Sequence, residues 1–317
     1  MSEAPPTSPA KLDWRIPAAW LTLCIVWSST WLAIKWGLED LPPISFAGLR
    51  FVIAVIALLA ISAGRVPLLP RNRADWWLLA YTGVLMFAVN YGLLFWGELY
   101  VSSGLAAVLQ TMIPIFGMVF AHWMLPDEPI QLRKLGGAIL AIGGVVLICA
   151  RLLEFNGILA FWGGLGIVFG GASAAFSNVL LKARKMQLAP GMMAAWQMIF
   201  GSIPLLGAGL IWEGNPFTFH WTPLAIGCLL YLAIIGSSLT FLLLYWLMPR
   251  MSVINLQTIS LITPPGAIAL GWWLGGERFS GLMLLGACFV LVGVAIIFWR
   301  GSAKIPPAAP EAVAVSN

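Results

Sequence analysis

Two cations lie inside apolar runs of this chain, Lys35 and Arg50. A charge in hydrocarbon is costly, so it must face protein or water, and it commonly marks function. Arg50 lies about 9 Å below one end of its run, at 1.5 Å per residue. A fixed guanidinium suits a carboxylate, which it can hold through two parallel hydrogen bonds. Lys35 is nearer its own run's end, where its stem could snorkel to the interface. Each also fits a structural role. Arg50 could pair with Glu98, or with helix-end carbonyls near Glu39 and Asp40.

The other polar side chains at depth are neutral: Ser28, Ser29, Thr30, Asn90, Tyr91, Gln110, Thr111, Ser177, Asn178, Gln197, Ser237, Ser238, Thr240, Asn255, Gln257, Thr258 and Ser260. Singly, each could glue neighbouring helices together. Jointly they describe a hydrated cavity with few charges, and Trp27, Trp31, Tyr91, Trp196 and Trp246 would give it aromatic wall. Such a site takes a small polar or amphipathic organic molecule. No metal or cofactor is expected, because the cysteines Cys24, Cys149, Cys228 and Cys288 fall in or near separate runs without CxxC spacing. Pro114, Pro264 and Pro265 fall midway along their runs. Each removes one helix hydrogen bond and clashes with the preceding turn, so the sequence predicts kinks there, and gating bends beside the site.

Enzyme chemistry finds little in these residues. The chain has no HExxH and no GxSxG, and no GxxxxGK[ST] loop for ATP. Ser102, Ser103 and Gly104 with His122 or His220 could be imagined as an intramembrane protease, but no histidine sits at a depth that meets those serines. No Asp or Glu lies deep, and Glu98, at the end of its run, is the nearest candidate for proton coupling. A coupled carrier and an uncoupled, channel-like facilitator both remain open.

The elements that must position these residues follow from composition. Of 317 residues 61% are hydrophobic and 9% charged, against roughly a quarter charged in a soluble domain. The apolar runs are continuous and near 20 residues long, the length with which a helix crosses about 30 Å of hydrocarbon. A barrel strand would alternate instead. The expected fold class is therefore an all-α integral membrane protein. Ten runs qualify, near 16–37, 44–63, 76–97, 102–124, 132–150, 157–180, 191–212, 222–247, 252–274 and 281–299. Thirteen of the 17 Lys and Arg fall on one side of this arrangement, and only Arg151 and Arg278 on the other. That asymmetry predicts cytoplasmic termini, with tails at 1–15 and 301–317. It also accounts for the net charge of +5 without nucleic acid as a partner.

The halves repeat. A shift of 150 superposes Tyr81 on Tyr231, Trp96 on Trp246, Pro114 on Pro264, Trp123 on Trp273, Gly136 on Gly286 and Gly143 on Gly293. Near the start of each half a shift of 147 does better, placing Lys35 on Lys182 and Arg50 on Gln197, while Glu128 and Glu277 match within one residue. Five runs per half is an odd number, so the second half enters the membrane from the opposite side. Inverted repeats of this kind build transporters.

The stretch VWSSTWLAIKWGLEDLPPISFAGLRF at 26–51 resembles the opening of the EamA family of the drug/metabolite transporter superfamily. So do residues 101–148 and their second-half counterpart ending in GGERFSGLMLLGACFVLVGVAII. The resemblance spans almost all of 16–300. It implies ten transmembrane helices as two inverted five-helix repeats, 16–151 and 152–300, around a central cavity. It also implies a transporter in the inner (cytoplasmic) membrane. The expected activity is alternating-access export of small, amino-acid-like metabolites, with a multidrug or dye exporter as the alternative. The expected partners are a small-molecule substrate and the lipid bilayer, with the chain as a monomer.

Overall fold

A computed structural model describes residues 14–62, 69–70, 72–125, 131–184, 188, 190–247, 250–251 and 253–298. Residues 1–13 and 301–317 of the two tails, Glu128, and the side chains of Asn255 and Gln257 lie outside the described set. The regular structure among the described residues is helical. In lipid a backbone polar group finds no water, so an apolar run of this length must satisfy its N–H and C=O groups within a helix.

The helices are α1 (Arg15–Gly37), α2 (Pro43–Ser62), α3 (Arg73–Glu98), α4 (Ser103–Met124), α5 (Leu132–Asn156), α6 (Ile158–Arg184) and α7 (Pro190–Trp212). Next comes α8, built of three consecutive stretches (Pro223–Leu230, Tyr231–Leu239 and Thr240–Leu247), then α9 (Val253–Trp273) and α10 (Gly281–Phe298). Among the described residues, nine helices are long and apolar enough to cross a membrane. Large apolar side chains such as Ile56, Ile139, Val146, Phe169 and Ile203 are exposed on their flanks, as lipid contact demands.

Helix ends follow local chemistry. The sequence reading stops the fifth run at 150, before the charged residues, but α5 runs on to Asn156. Arg151 and Glu154, three apart on this extra turn, form an ion pair at 2.5 Å. Gly157, at φ +84°, a conformation that disfavours other residues, then stops the helix. The expected boundary at 151/152 thus falls inside α5, and the chain reverses at Gly157.

The packing is pairwise. Helix α2 lies on α7, α4 on α9 and α5 on α10, so each contacts the element five places further along. The α3–α6 and α4–α6 contacts have counterparts in α8–α1 and α9–α1. The α5–α10 crossing is the closest in character to a backbone contact. A Cβ on Gly144 would stand 2.5 Å from the Gly286 carbonyl oxygen, and one on Gly137 would stand 2.6 Å from that of Gly293. This corrects the repeat register at these helices. Gly136 and Gly143, matched by the shift of 150, face open space, and the glycines in the crossing are Gly137 and Gly144. The proper shift here is 149 residues, because Gly137 and Gly144 then superpose on Gly286 and Gly293. Gly144→Leu should therefore lower stability by about 1–3 kcal/mol, the usual range for overpacking. Gly143→Leu, one residue away, should leave the thermal unfolding midpoint of the purified protein unchanged.

Candidate functional site

The site begins with two irregular stretches. In α3 residues Val84–Val89, and in α8 residues Tyr231–Leu239, form π-helix, with hydrogen bonds reaching five residues back. They occupy matching places, since the shift of 150 that sets Tyr81 on Tyr231 carries residues 84–89 onto 234–239. Each wider turn rotates the residues beyond it, and such turns gather at functional sites. In α8 the hydroxyls of Ser237 and Ser238 donate to the carbonyls of Leu232 and Ala233, both at 3.0 Å.

Ser237 Oγ in turn accepts a hydrogen bond from Arg50 Nε at 3.2 Å. Arg50 is 4% exposed. Its guanidinium carbon lies 5.3 Å from the ring centre of Tyr91, 5.5 Å from Phe51 and 6.0 Å from Phe95. These rings brace one another: Phe51 meets Tyr91 edge-on at 4.8 Å, and Phe87 stacks on Tyr91 at 5.9 Å. Ring faces offer negative potential to a cation and attract it most where water is excluded. They do not use its hydrogen-bond donors, and Arg50 Nη1 has no partner among the described residues. The pairing with Glu98 that the sequence allows is not made: Glu98 is fully buried and neither of its oxygens receives a hydrogen bond among the described residues.

Gln197, which the repeat sets opposite Arg50, joins the equivalent pair of helices by neutral chemistry. Its Nε2 donates to Thr82 Oγ1 at 3.0 Å, and Ser177 Oγ donates to the Thr82 carbonyl at 3.0 Å. Asn90 accepts from Gln110 Nε2 at 2.7 Å, so these two expected cavity residues do meet. Thr30 and Thr240 are buried and turn their hydroxyls back onto their own helices, at the carbonyls of Trp27 and Gly236. Trp31 is half-buried between the two large apolar clusters, and Trp27 packs in a third formed by α1, α8 and α9. Trp196 sits edge-on to Trp76 at 4.5 Å, away from Arg50's aromatic cage. Asn178 is exposed and Thr258 half-buried; the Asn255 side chain lies outside the described residues.

The prolines behave differently in the two halves. Helix α4 is interrupted at Thr111 and Met112 and resumes at Ile113, with Pro114 in the first turn of the new stretch. Helix α9 runs unbroken through Pro264 and Pro265. The first-half proline thus follows a break in its helix, while the second-half pair sits inside a continuous one.

Side-chain ties cross one end of the bundle. Lys35 Nζ donates to the carbonyls of Glu98 (2.5 Å), Val101 (3.1 Å) and Leu99 (3.4 Å), fastening α1 to the α3–α4 connection. Glu213, at the end of α7, accepts from the backbone N–H of Ile44 and Ser45 at 2.8 and 2.7 Å. Glu277 does the same for Ser103 and Gly104 at the start of α4, at 2.7 and 3.3 Å. A carboxylate at a helix N-terminus satisfies unpaired donors and meets the positive end of the dipole. Glu277 stands out in the sequence only as the repeat match of Glu128, and nothing in the sequence marked Glu213.

Asp40 completes the seal. It accepts from Thr222 Oγ1 at 2.5 Å and lies 2.7 Å from His220 Nδ1, linking the α1–α2 and α7–α8 connections. The hydrogen bond from Thr222, then that from His220, hold its carboxyl below the usual carboxylate range. A depressed pKa stabilises the fold fully above the unfolded value of about 4 and ceases to do so as pH falls through the folded value. The excess stability of the wild type over Asp40→Asn should accordingly decline as pH falls below about 4. It should vanish in strong acid, as followed by thermal unfolding across pH.

The EamA-like transporter family model matches this chain twice, over residues 16–150 and 161–299. The chain is 33% identical over 290 residues to an uncharacterised inner membrane transporter, YedA, of Escherichia coli strain K12, covering 88% of this chain and 89% of that one. It is 26% identical over 278 residues to the uncharacterised transporter YoaV of Bacillus subtilis strain 168, covering 86% and 93%. A probable amino-acid metabolite efflux pump of Escherichia coli strain K12 is 27% identical over 297 residues, covering 90% and 96%. One crystal structure matches with a TM-score of 0.62 at 17% identity, over 89% of this chain and 97% of its own, a likeness of fold alone. With both halves matched and these relatives covered over 89% to 96% of their length, the chain belongs to the EamA-like transporter family.

Proposed function

We propose that this protein is a secondary transporter that exports small carboxylate-bearing, amino-acid-like metabolites across the cytoplasmic membrane by alternating access. The observation that carries the substrate class is Arg50: a buried guanidinium, held by Ser237 and an aromatic cage, with Nη1 uncommitted. A carboxylate there would gain charge-assisted hydrogen bonds in a water-poor surround. The relative described as a probable amino-acid metabolite efflux pump agrees with that class and with outward movement.

Alternating access rests on ten spans in two inverted five-helix repeats that meet at Gly157. The five-places-on packing and the matched π stretches support that reading, with α9, 21 residues long, as the tenth span. The basic asymmetry supports cytoplasmic termini, which makes the tied end the outward one and the structure, on this reading, outward-closed. A relative described as an inner membrane transporter supports the location. The chain acts as a monomer on a small-molecule substrate, without nucleic acid.

A panel of amino acids, each beside its uncharged amide, tests the substrate class on purified protein. A true ligand raises the thermal midpoint in proportion to its occupancy, and the acids should do so where the amides do not. Equal shifts from acid and amide would overturn the role of Arg50.

A further inference from the structure

Glu98 has no part in the site so far, yet it is the most deeply placed carboxylate among the described residues. Its side chain is 0% exposed and neither oxygen receives a hydrogen bond there. It ends α3, at the tied end of the bundle, with Lys35 from α1, Arg50 from α2 and Glu277 from the α9–α10 connection as the charges that act on it. The elements packed on α3 add little else. Helix α4 carries only His122 near its far end, α6 only Lys182 and Arg184 near its own far end, and α7 no charged side chain. Tyr91 and Tyr100 lie on α3 itself and just beyond it.

Lys35 acts on Glu98 through its charge but gives the carboxylate no hydrogen bond in this state. An ammonium has three protons, and Lys35 directs them to the carbonyl oxygens of Glu98, Leu99 and Val101. Arg50 donates through Nε to Ser237 and is engaged by three rings. Glu277 adds a second negative charge. A buried ionised carboxylate without hydrogen bonds is strongly unfavourable, whereas its protonated form loses far less on leaving water. The hydroxyls of Ser102 and Ser103, just along the chain, are also buried without partners among the described residues. The tied end therefore encloses a carboxyl group whose charged form is disfavoured there by burial without hydrogen bonds.

We propose that Glu98 is a proton-binding site whose occupancy is linked to closure of the outer end. On closure a carboxylate oxygen takes one proton from the external water, and the O–H bond forms as water leaves. On opening, water returns and the proton goes back to it. This rests on the alternating-access reading above, and adds to it that the outer gate binds a proton.

The test needs no substrate. Cys24, Cys149, Cys228 and Cys288 are replaced by Ala, and Ser102→Cys is introduced beside Glu98 as the reporter. A membrane-impermeant maleimide is applied to intact cells at a series of external pH values. The rate with Glu98 present is divided by the rate in a Glu98→Gln partner, which cancels the pH dependence of the thiol itself. One linked proton makes the ratio rise with pH by up to tenfold per unit, from a value near one in acid. Glu98→Asp should keep the rise and move its midpoint, which maintains the test should Glu98→Gln fail to insert. A ratio independent of pH overturns the proposal. So does a pH dependence that survives in Glu98→Gln but disappears in His220→Gln, because the Asp40–His220 latch would then be the sensor. If the reporter reacts in unfolded protein but in no folded variant at any pH, the outer end does not open, and alternating access falls as well.

Discussion

Arg50→Gln should weaken binding of a carboxylate ligand by about 100-fold, since truncating a buried, hydrogen-bonded charge pair costs roughly 2–5 kcal/mol. The same ligand's uncharged amide should lose only a few-fold. Glutamine already stands at the repeat-related position 197, where it bonds to Thr82, so the substitution copies chemistry that this fold accommodates. Arg50→Lys keeps the charge but loses the planar fork and the Nε donor that reaches Ser237. It should lie between the two, at about tenfold. Counterflow in proteoliposomes, with the acid and amide identified by the thermal panel, measures both. An equal loss for acid and amide would mean that Arg50 holds α2 against α8 and does not read the ligand. The cage gives a second arm. Tyr91→Leu removes the nearest ring face, 5.3 Å from the guanidinium carbon, and should weaken the acid without favouring the amide.

Glu213→Ala should lower stability by about 2 kcal/mol. It removes a carboxylate that holds two backbone donors at the start of α2, at 2.8 and 2.7 Å. Hydrogen bonds to charged groups contribute about 1.5–3 kcal/mol each, but Glu213 is only half-buried, and solvent screening reduces the sum. Glu213→Gln keeps one good acceptor and should cost about half as much. Because this bond joins α7 to α2, its loss should also free the tied end, so maleimide should reach Ser102→Cys faster in Glu213→Ala at every pH. A lowered unfolding midpoint without faster labelling would make Glu213 a helix cap and no part of the closure. Glu277, which caps α4 across the same end, should behave alike. Gly271 must stay small beside it, since a Cβ there would run into the Glu277 carboxylate and approach Ser103 Oγ at 3.0 Å.

The sequence by itself determined the class of protein, the helices and the family. Hydropathy is a sum over neighbouring residues, so runs such as 16–37 and 281–299 declare themselves wherever the chain folds, and they match α1 and α10 closely. It also marked Arg50, Asn90 and Gln197 as polar residues to be enclosed, because exposing them to lipid is costly at any rotation of the helix, yet Asn178 of the same set is exposed. What a side chain touches was not legible. Each residue advances about 100° around a helix, so a shift of 150 in place of 149 points to Gly136 and Gly143, on open faces, and misses Gly137 and Gly144 in the crossing. The π stretches at Val84–Val89 and Tyr231–Leu239 change that rotation midway, and no residue type announces them. Only the tertiary structure decided that Lys35 spends its protons on carbonyls 63 to 66 residues away, that Arg50 meets rings and Ser237 in place of Glu98, and that Glu98 is left enclosed without a partner. Those outcomes depend on which distant helix supplies the nearest acceptor, and that is fixed by packing.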